Sequence, residues 1–266
     1  MPFIMSSSHV REAGIIQLMG GQNLPRYCHL NFHTSVSTIK MASPPAFQII
    51  HGGKEYADKM VDVLNLAFRD DSLCTWLIHH FPTTEHQTIR AKLLQGFLTQ
   101  GWLNDGIFVE VGSFGCCGLF MPPGTSIENP WTLLRAGLIP ALLTIGPKTF
   151  KRALIEYGSK IEPLLHKAFT KEEQQSHWYV FIMGTAFTRR RQGLASALLG
   201  NLMERARSDK RPVWLEATTR ESRQLYTRHG FETVGEVVLG KGEVGSDGLS
   251  SKGGQGVTIW SMYWRP

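Results

Sequence analysis

The spacing of apolar and polar positions changes several times along the chain, and each change marks an element. Ala57, Met60, Val61, Leu64, Ala67 and Phe68 recur three and four residues apart, which predicts a helix over about 56–68 with Asp70-Asp71 in the loop that follows. A second helical stretch is predicted over about 84–103. Gly106-Ile107-Phe108-Val109-Glu110-Val111 and Cys116-Cys117-Gly118-Leu119-Phe120-Met121 read as neighbouring strands in a hairpin around Gly112–Gly115. Phe47-Gln48-Ile49-Ile50 is the first strand-like piece. From Trp131 to Ala168 the pattern is mostly helical, with interruptions expected at Pro140, Gly146-Pro147 and Pro163. Thr233–Leu239 and Val257–Trp264 are apolar strand candidates. Between them Gly240–Gly256 is rich in Gly, Ser and Lys and reads as a flexible hairpin loop.

The most informative stretch runs from His177 to Phe231. Tyr179-Val180-Phe181-Ile182-Met183-Gly184-Thr185 is aromatic and β-branched enough for a buried strand. It ends at Arg189-Arg190-Arg191-Gln192-Gly193-Leu194-Ala195, after which Leu194, Leu198, Leu202 and Ala195, Leu199, Met203, Ala206 recur at helical spacing. The basic turn therefore opens a helix. A helix start leaves backbone N–H groups unpaired and carries about half a positive charge, which favours a phosphate there by about 0.3–2 kcal/mol. Gly193 and Ala195 keep that backbone approachable, and the arginines add charge and forked donors, so the turn suits a diphosphate. An ordinary basic helix start facing solvent would show the same few residues. A second strand, Pro212-Val213-Trp214-Leu215-Glu216-Ala217-Thr218, and then Leu225-Tyr226-Thr227-Arg228-His229-Gly230-Phe231 complete the stretch.

Composition narrows the class only a little. The 266 residues are 42% hydrophobic, ample for one large domain, and a net charge of +6 suits an anionic ligand, a nucleic acid or a membrane surface alike. Cys28, Cys74, Cys116 and Cys117 show no metal-ligand spacing, and no metal is expected. This cysteine usage favours a reduced, cytoplasmic compartment without disulfides. No apolar run reaches the roughly 20 residues of a membrane span. Residues 1–42 read as a disordered leader: Arg11, Arg26 and Lys40 against Glu12 are compatible with a mitochondrial targeting segment, while Met41-Ala42-Ser43-Pro44-Pro45 reads as a fresh start of translation. Residues 43–266 then form a single domain.

Arg190-x-x-Gly193-x-Ala195 after a strand resembles the acetyl-CoA signature of the GNAT superfamily of N-acetyltransferases, and Leu215-Glu216-Ala217, Tyr226 and Trp260-x-Met262 extend the likeness to its small-molecule enzymes, such as puromycin N-acetyltransferase and fungal relatives. The resemblance implies an α/β fold whose central mixed β-sheet is splayed at the acetyl-CoA site and flanked by helices. It also implies a helical insert, at about 131–170, that shapes the acceptor pocket. Acetyl-CoA would be the co-substrate, bound through Met183, Gly184, Thr185, Arg190, Arg191, Gln192, Gly193, Leu194, Ala195 and Ser222. The backbone of Met183-Gly184-Thr185 would meet the pantetheine arm, with Gly184 either admitting the cofactor or marking a β-bulge. The chain departs from the family pattern in carrying Phe187 for a usual proline, Arg191 for a glycine and Ser222 for an asparagine.

Acetyl transfer to an amine needs an oriented carbonyl, a neutral amine and a proton for the departing thiolate. By family position Tyr226 is the general acid, although helical spacing alone would also place a buried aromatic there. An alkylamine of pKa about 10.4 is neutral about once in 2,500 molecules at pH 7, so deprotonation costs about 4.6 kcal/mol. Tyr179 stands where the family carries a Glu or His, which leaves Glu216 and His177, or a water chain between them, as the proton route. A salt bridge from Glu216 to an arginine is the other reading. The expected function is direct acetyl transfer to a small-molecule amine. The alternatives are a protein lysine acetyltransferase and a non-catalytic acyl-CoA-binding regulatory module. Nucleic-acid binding through Arg189–Arg191 is disfavoured because the other basic residues are scattered. The oligomeric state is left open.

Overall fold

The computed structural model describes residues 47–127, 129, 131–132 and 145–266, so the leader, Cys28 and the central part of the insert with Pro140 lie outside the described residues. Residues Pro45–Pro266 form one compact unit. Its strands are β1 (Ile49–Gly52), β2 (Ile107–Val111), β3 (Cys116–Met121), β4 (Trp178–Thr185), β5 (Val213–Ala217), β6 (Glu232–Leu239) and β7 (Val257–Trp264), in the order β1-β2-β3-β4-β5-β7-β6. Every neighbouring pair is antiparallel except β4 and β5, which makes the sheet mixed, as the sequence led us to expect.

Alternation along the strands sends apolar side chains to both faces, and helices cover each. Helix α6 (Leu194–Asp209) buries Leu198, Leu202 and Met203 against Val109, Val111 and Leu215, with Tyr226 of α7 (Arg220–Arg228) in the same cluster. On the opposite face α1 (Ala57–Ala67) and α3 (His86–Leu103) set Met60, Leu64, Leu94 and Leu98 against Phe108, Cys117 and Leu119. Further along that face α2 (Ser72–Ile78) and α4 (Tyr157–Ala168) pack Trp76 and Ile161 with Trp214 and Ile259. A short α5 (Lys171–Gln175), fastened by a Thr170/Glu173 capping box, leads into β4.

Three local readings need correction. The sequence placed Asp71 in a loop, whereas it is the N-cap of α2, its carboxylate accepting the Cys74 N–H at 2.9 Å. Seven residues carry too little periodicity to announce that helix. Pro163 does not break the insert: a π-helical stretch Lys151–Glu156 and α4 follow one another without a gap. Gly146 does interrupt the helical path, as expected, with a left-handed φ of 72° just ahead of Pro147. Pro163 is interior, at a cost of about 3 kcal/mol, and the burial of Ile161, Leu164 and Leu165 in the second core cluster offsets it.

The third correction concerns Gly240–Gly256, which is a folded hairpin and not a loose linker. Gly242 N–H bonds the Gly254 carbonyl at 2.9 Å, Ser251 N–H bonds Glu243 at 2.8 Å, and Val244 is fully buried. A side chain at Gly248 would collide with Ser72 of α2. The glycines there admit close packing.

Candidate active site

The site begins where the sheet comes apart. The ladder between β4 and β5 holds Trp178 to Val213, Tyr179 to Trp214 and Val180 to Leu215, and goes no further, although β4 runs on to Thr185 and β5 to Ala217. A bulge sits at the same level. Leu119 faces Ile182 and Phe120 faces Val180, so Phe181 is the extra residue, and both Phe181 and Ile182 turn to the α1/α3 face. An extra residue bends its strand, which carries β4 away from β5. A cavity of about 1270 Å³ fills the gap, lined by Phe181–Thr185 on one side and by Glu216, Thr218 and Tyr226 on the other. That exceeds the ~300–1,000 Å³ of a typical single-ligand pocket and leaves room for two substrates.

One end of the cavity is basic. Gly193 caps α6 at φ 82° and Arg191 stands at φ 62°, so the turn takes two left-handed steps and leaves the N–H groups of the first turn of α6 without intrahelical acceptors. Residues Arg190–Gly193 are exposed. A Cβ on Gly193 would meet only Phe47, at 3.5 Å, so glycine is required there by its backbone angle more than by space. The three arginines are not equivalent. Arg189 donates to the Gln192 side chain at 2.9 Å, and Arg190 donates to the Ala67 carbonyl at 3.0 Å while lying 5.2 Å over the Phe187 ring. Arg191 has no hydrogen bond or ion pair among the described residues, which makes it the cation most available to an anion. Leu194 buries its side chain in the core and offers only backbone to the cavity, beside Ala195 and Ser196.

Along the β4 edge, Met183 packs on the α6-side core and Thr185 donates its hydroxyl to the Cys116 thiol at 3.2 Å. Burial pushes that thiol up to about 11, which keeps it neutral. Gly184 is neither the bulge nor a concession to a ligand. A Cβ there would lie 2.7 Å from Leu64 and 3.2 Å from Ala67, so its smallness lets α1 sit on the strand.

Facing that edge, Tyr226 is buried among α6 residues and also lines the cavity, so the core reading and the site reading hold together. Burial raises its phenol well above the usual tyrosine range, and the nearby Cys116, Glu216 and Asp71 add to the effect. Ser222 lines the cavity too, but its hydroxyl is committed to the start of α7. It accepts the Thr219 N–H at 3.2 Å and donates to the Thr219 carbonyl at 2.9 Å, while Thr219 caps the Ser222 N–H. The single proton expected for a ligand is therefore already placed within the helix cap.

Glu216 is the charged group at the floor of the cavity on the β5 side. Its Oε2 accepts the Tyr179 hydroxyl at 2.9 Å, its Oε1 accepts the Trp214 indole N–H at 2.5 Å, and the Tyr157 hydroxyl lies beside the same carboxylate and Tyr179. Trp214 and Glu216 are two apart on one strand and share a face; Tyr179 is the register partner of Trp214. His177 does not join this group. Its Nδ1–H donates to the Glu173 carbonyl at 2.9 Å, its ring tilts on Phe169, and it is absent from the cavity lining. Burial lowers its pKa.

Two participants went unnoticed in the sequence. Tyr157 reaches Glu216 from the insert, across a distance in sequence that no spacing rule spans. Asp71 lines the cavity with both carboxylate oxygens engaged, Oδ2 accepting the Thr218 hydroxyl at 2.6 Å and Oδ1 capping α2. The Trp-x-Glu spacing on β5 was the available signal for the indole donor.

Comparison with known proteins agrees with this geometry. Residues 163–231 match the acetyltransferase (GNAT) family, and they contain β4, the basic turn, α6, β5 and α7. Over those residues the chain carries GNAT acetyltransferase sequence. A Schizosaccharomyces pombe protein named an uncharacterized N-acetyltransferase is 27% identical over 183 residues, covering 67% of this chain and 70% of that protein. Two solved structures share the fold. A protein from Corynebacterium glutamicum described as a histone acetyltransferase and related acetyltransferase superposes with a TM-score of 0.51 at 20% identity, over 83% of this chain and 97% of its own. Arylalkylamine N-acetyltransferase 2 from Aedes aegypti gives 0.51 at 16% identity, over 82% and 98%.

Proposed function

We propose that this GNAT enzyme moves an acetyl group from acetyl-CoA directly to the amine of a small molecule. The observation that carries the reading is the parting of β4 from β5 with an open basic helix start at one end of the cleft and Tyr226 and Glu216 deeper within it. The residues fit acetyl-CoA. Arg191 and the first-turn amides of α6 would hold its diphosphate, and the β4 edge from Phe181 to Thr185, unpaired by β5, would hold the amides of its pantetheine arm.

Acetyl-CoA supplies a thioester carbonyl open to attack by an amine. The protein supplies position and protons. Glu216 takes a proton from the incoming ammonium. As the C–N bond forms and the C–S bond breaks, Tyr226 protonates the sulfur, and the second nitrogen proton, shed as the amide forms, restores the phenol. Because burial makes a phenolate costly, these last two transfers are coupled. His177, outside the cavity, has no part in this route.

The solved proteins that share the fold are named for a protein acceptor in one case and a small amine in the other, so the fold does not choose between them. A cavity with residues of the insert, among them Phe150 and Tyr157, on its wall favours the small amine over a lysine side chain. Calorimetric titration with acetyl-CoA tests the first half of the reading: the wild type binds and Gly193→Glu does not. CoA release across an amine panel tests the second. Tight binding with no release on any amine would convert the reading to a regulatory acyl-CoA sensor.

A further inference from the structure

The basic end of the cavity also carries exposed apolar surface. Of the large hydrophobic side chains exposed among the described residues, Leu66 at 61% and Phe187 at 70% are the two that line the cavity. Arg190 ties their two segments together. Its guanidinium lies 5.2 Å over the Phe187 ring and donates to the carbonyl of Ala67, next to Leu66, at 3.0 Å. One face of the ring is therefore taken by a cation, and its exposure leaves the other face open.

The ring stands on a fixed backbone. Ala186 N–H bonds the Gly115 carbonyl of the β2–β3 hairpin at 2.9 Å, Arg189 N–H bonds the Ala186 carbonyl at 2.8 Å, and Phe187–Arg189 form a tight turn between them and the start of α6. The fold makes little use of the ring itself, since Phe187 belongs to none of the core clusters. It is also one of the chain's departures from the GNAT pattern, at a position where proline is usual.

Charge decides what the open face can take. An ammonium acceptor would meet Arg189, Arg190 and Arg191 here, like charges that oppose it. The anionic co-substrate is favoured by the same residues. In acetyl-CoA the diphosphate joins the pantetheine arm to an adenosine, so a diphosphate at the start of α6 with the arm along β4 leaves a purine at the mouth of the cavity. A purine has a flat π-face that stacks on an aromatic side chain.

Resting on the acetyl-transfer reading above, we propose that Phe187 is the platform on which the adenine of acetyl-CoA stacks, with Arg190 holding the ring from its other face. Phe187 meets the co-substrate far from the reacting thioester, so its effect falls on binding and not on the chemical step.

The test is calorimetric titration of the full chain with acetyl-CoA and with S-acetyl-4′-phosphopantetheine, which keeps the thioester arm and lacks the adenosine. Phe187→Ala is expected to weaken acetyl-CoA by about tenfold and to leave the shorter thioester unchanged. Phe187→Trp, which keeps a stacking face, is expected to retain wild-type affinity for acetyl-CoA. Because the ring is outside the core, the melting temperature of Phe187→Ala should equal that of wild type. Equal weakening of the two thioesters, an unchanged affinity for acetyl-CoA or a lowered melting temperature would overturn the inference and leave acetyl transfer standing. Failure of the wild type to bind acetyl-CoA would overturn both.

Discussion

Tyr179 of β4 and Glu216 of β5 stand on the two strands that part, joined by a hydrogen bond of 2.9 Å that reaches across the last paired level, Val180 with Leu215. On the proposed reading Tyr179 holds in place the carboxylate that accepts the proton. Replacing Glu216 by Gln keeps the volume and removes the proton acceptor. For an alkylamine at pH 7 we expect kcat/KM to fall by about 10²–10⁴, with acetyl-CoA affinity unchanged by calorimetry. The loss should shrink for an arylamine, which is already neutral.

The basic turn combines a conformational cost with a charge. Arg191 occupies φ 62°, where a side chain costs about 1–2 kcal/mol relative to glycine, and of the three arginines in the turn it is the one with no hydrogen bond or ion pair among the described residues. Arg191→Gly should therefore raise the melting temperature by a few degrees. The same change should weaken acetyl-CoA binding by roughly tenfold through the lost charge-assisted bonds. Thermal melting and calorimetry on one variant give both signs.

At Gly184 the constraint comes from α1. Gly184→Ala would press its methyl on the fully buried Leu64, and an overpacking loss of about 1–3 kcal/mol is expected in denaturant melts. In a Leu64→Ala background the added methyl has space, so its increment should become smaller. Equal increments would place the cost elsewhere.

Much of this arrangement is legible in the sequence because residues 177–231 carry it in chain order: strand, turn, helix, strand, helix. The hairpin β2–β3 and helices α1 and α3 likewise follow from local period. What the sequence hides is contact between distant pieces. Tyr157, Tyr179 and Glu216 meet only when α4 folds over the parted strands. The hydroxyl of Ser222 looks available until Thr219 closes the cap. Glycines signal flexibility in Gly240–Gly256, yet there they let the backbone pack against α2.

His80 gives a pH dependence away from the active site. Burial and then the Arg152 guanidinium, 3.0 Å from its ring, lower its pKa from 6.5 to about 4. Between those values the unfolded chain binds the proton and the folded chain does not. The stability this neutral histidine contributes is present above about pH 6.5 and is lost as pH falls toward 4. His80→Gln should flatten that part of a melting-temperature profile and leave the profile above pH 7 parallel to wild type.

Tyr226→Phe bears most directly on the central claim, because it removes one oxygen from a buried ring and leaves the basic turn and Glu216 in place. The measurement is the steady-state release of CoA thiol from acetyl-CoA with 2-phenylethylamine, at saturating acetyl-CoA. Wild type should turn over, and the variant should bind acetyl-CoA with unchanged affinity while kcat falls by about 100-fold or more. Equal turnover by both proteins would contradict the assignment of Tyr226 as the proton donor to sulfur.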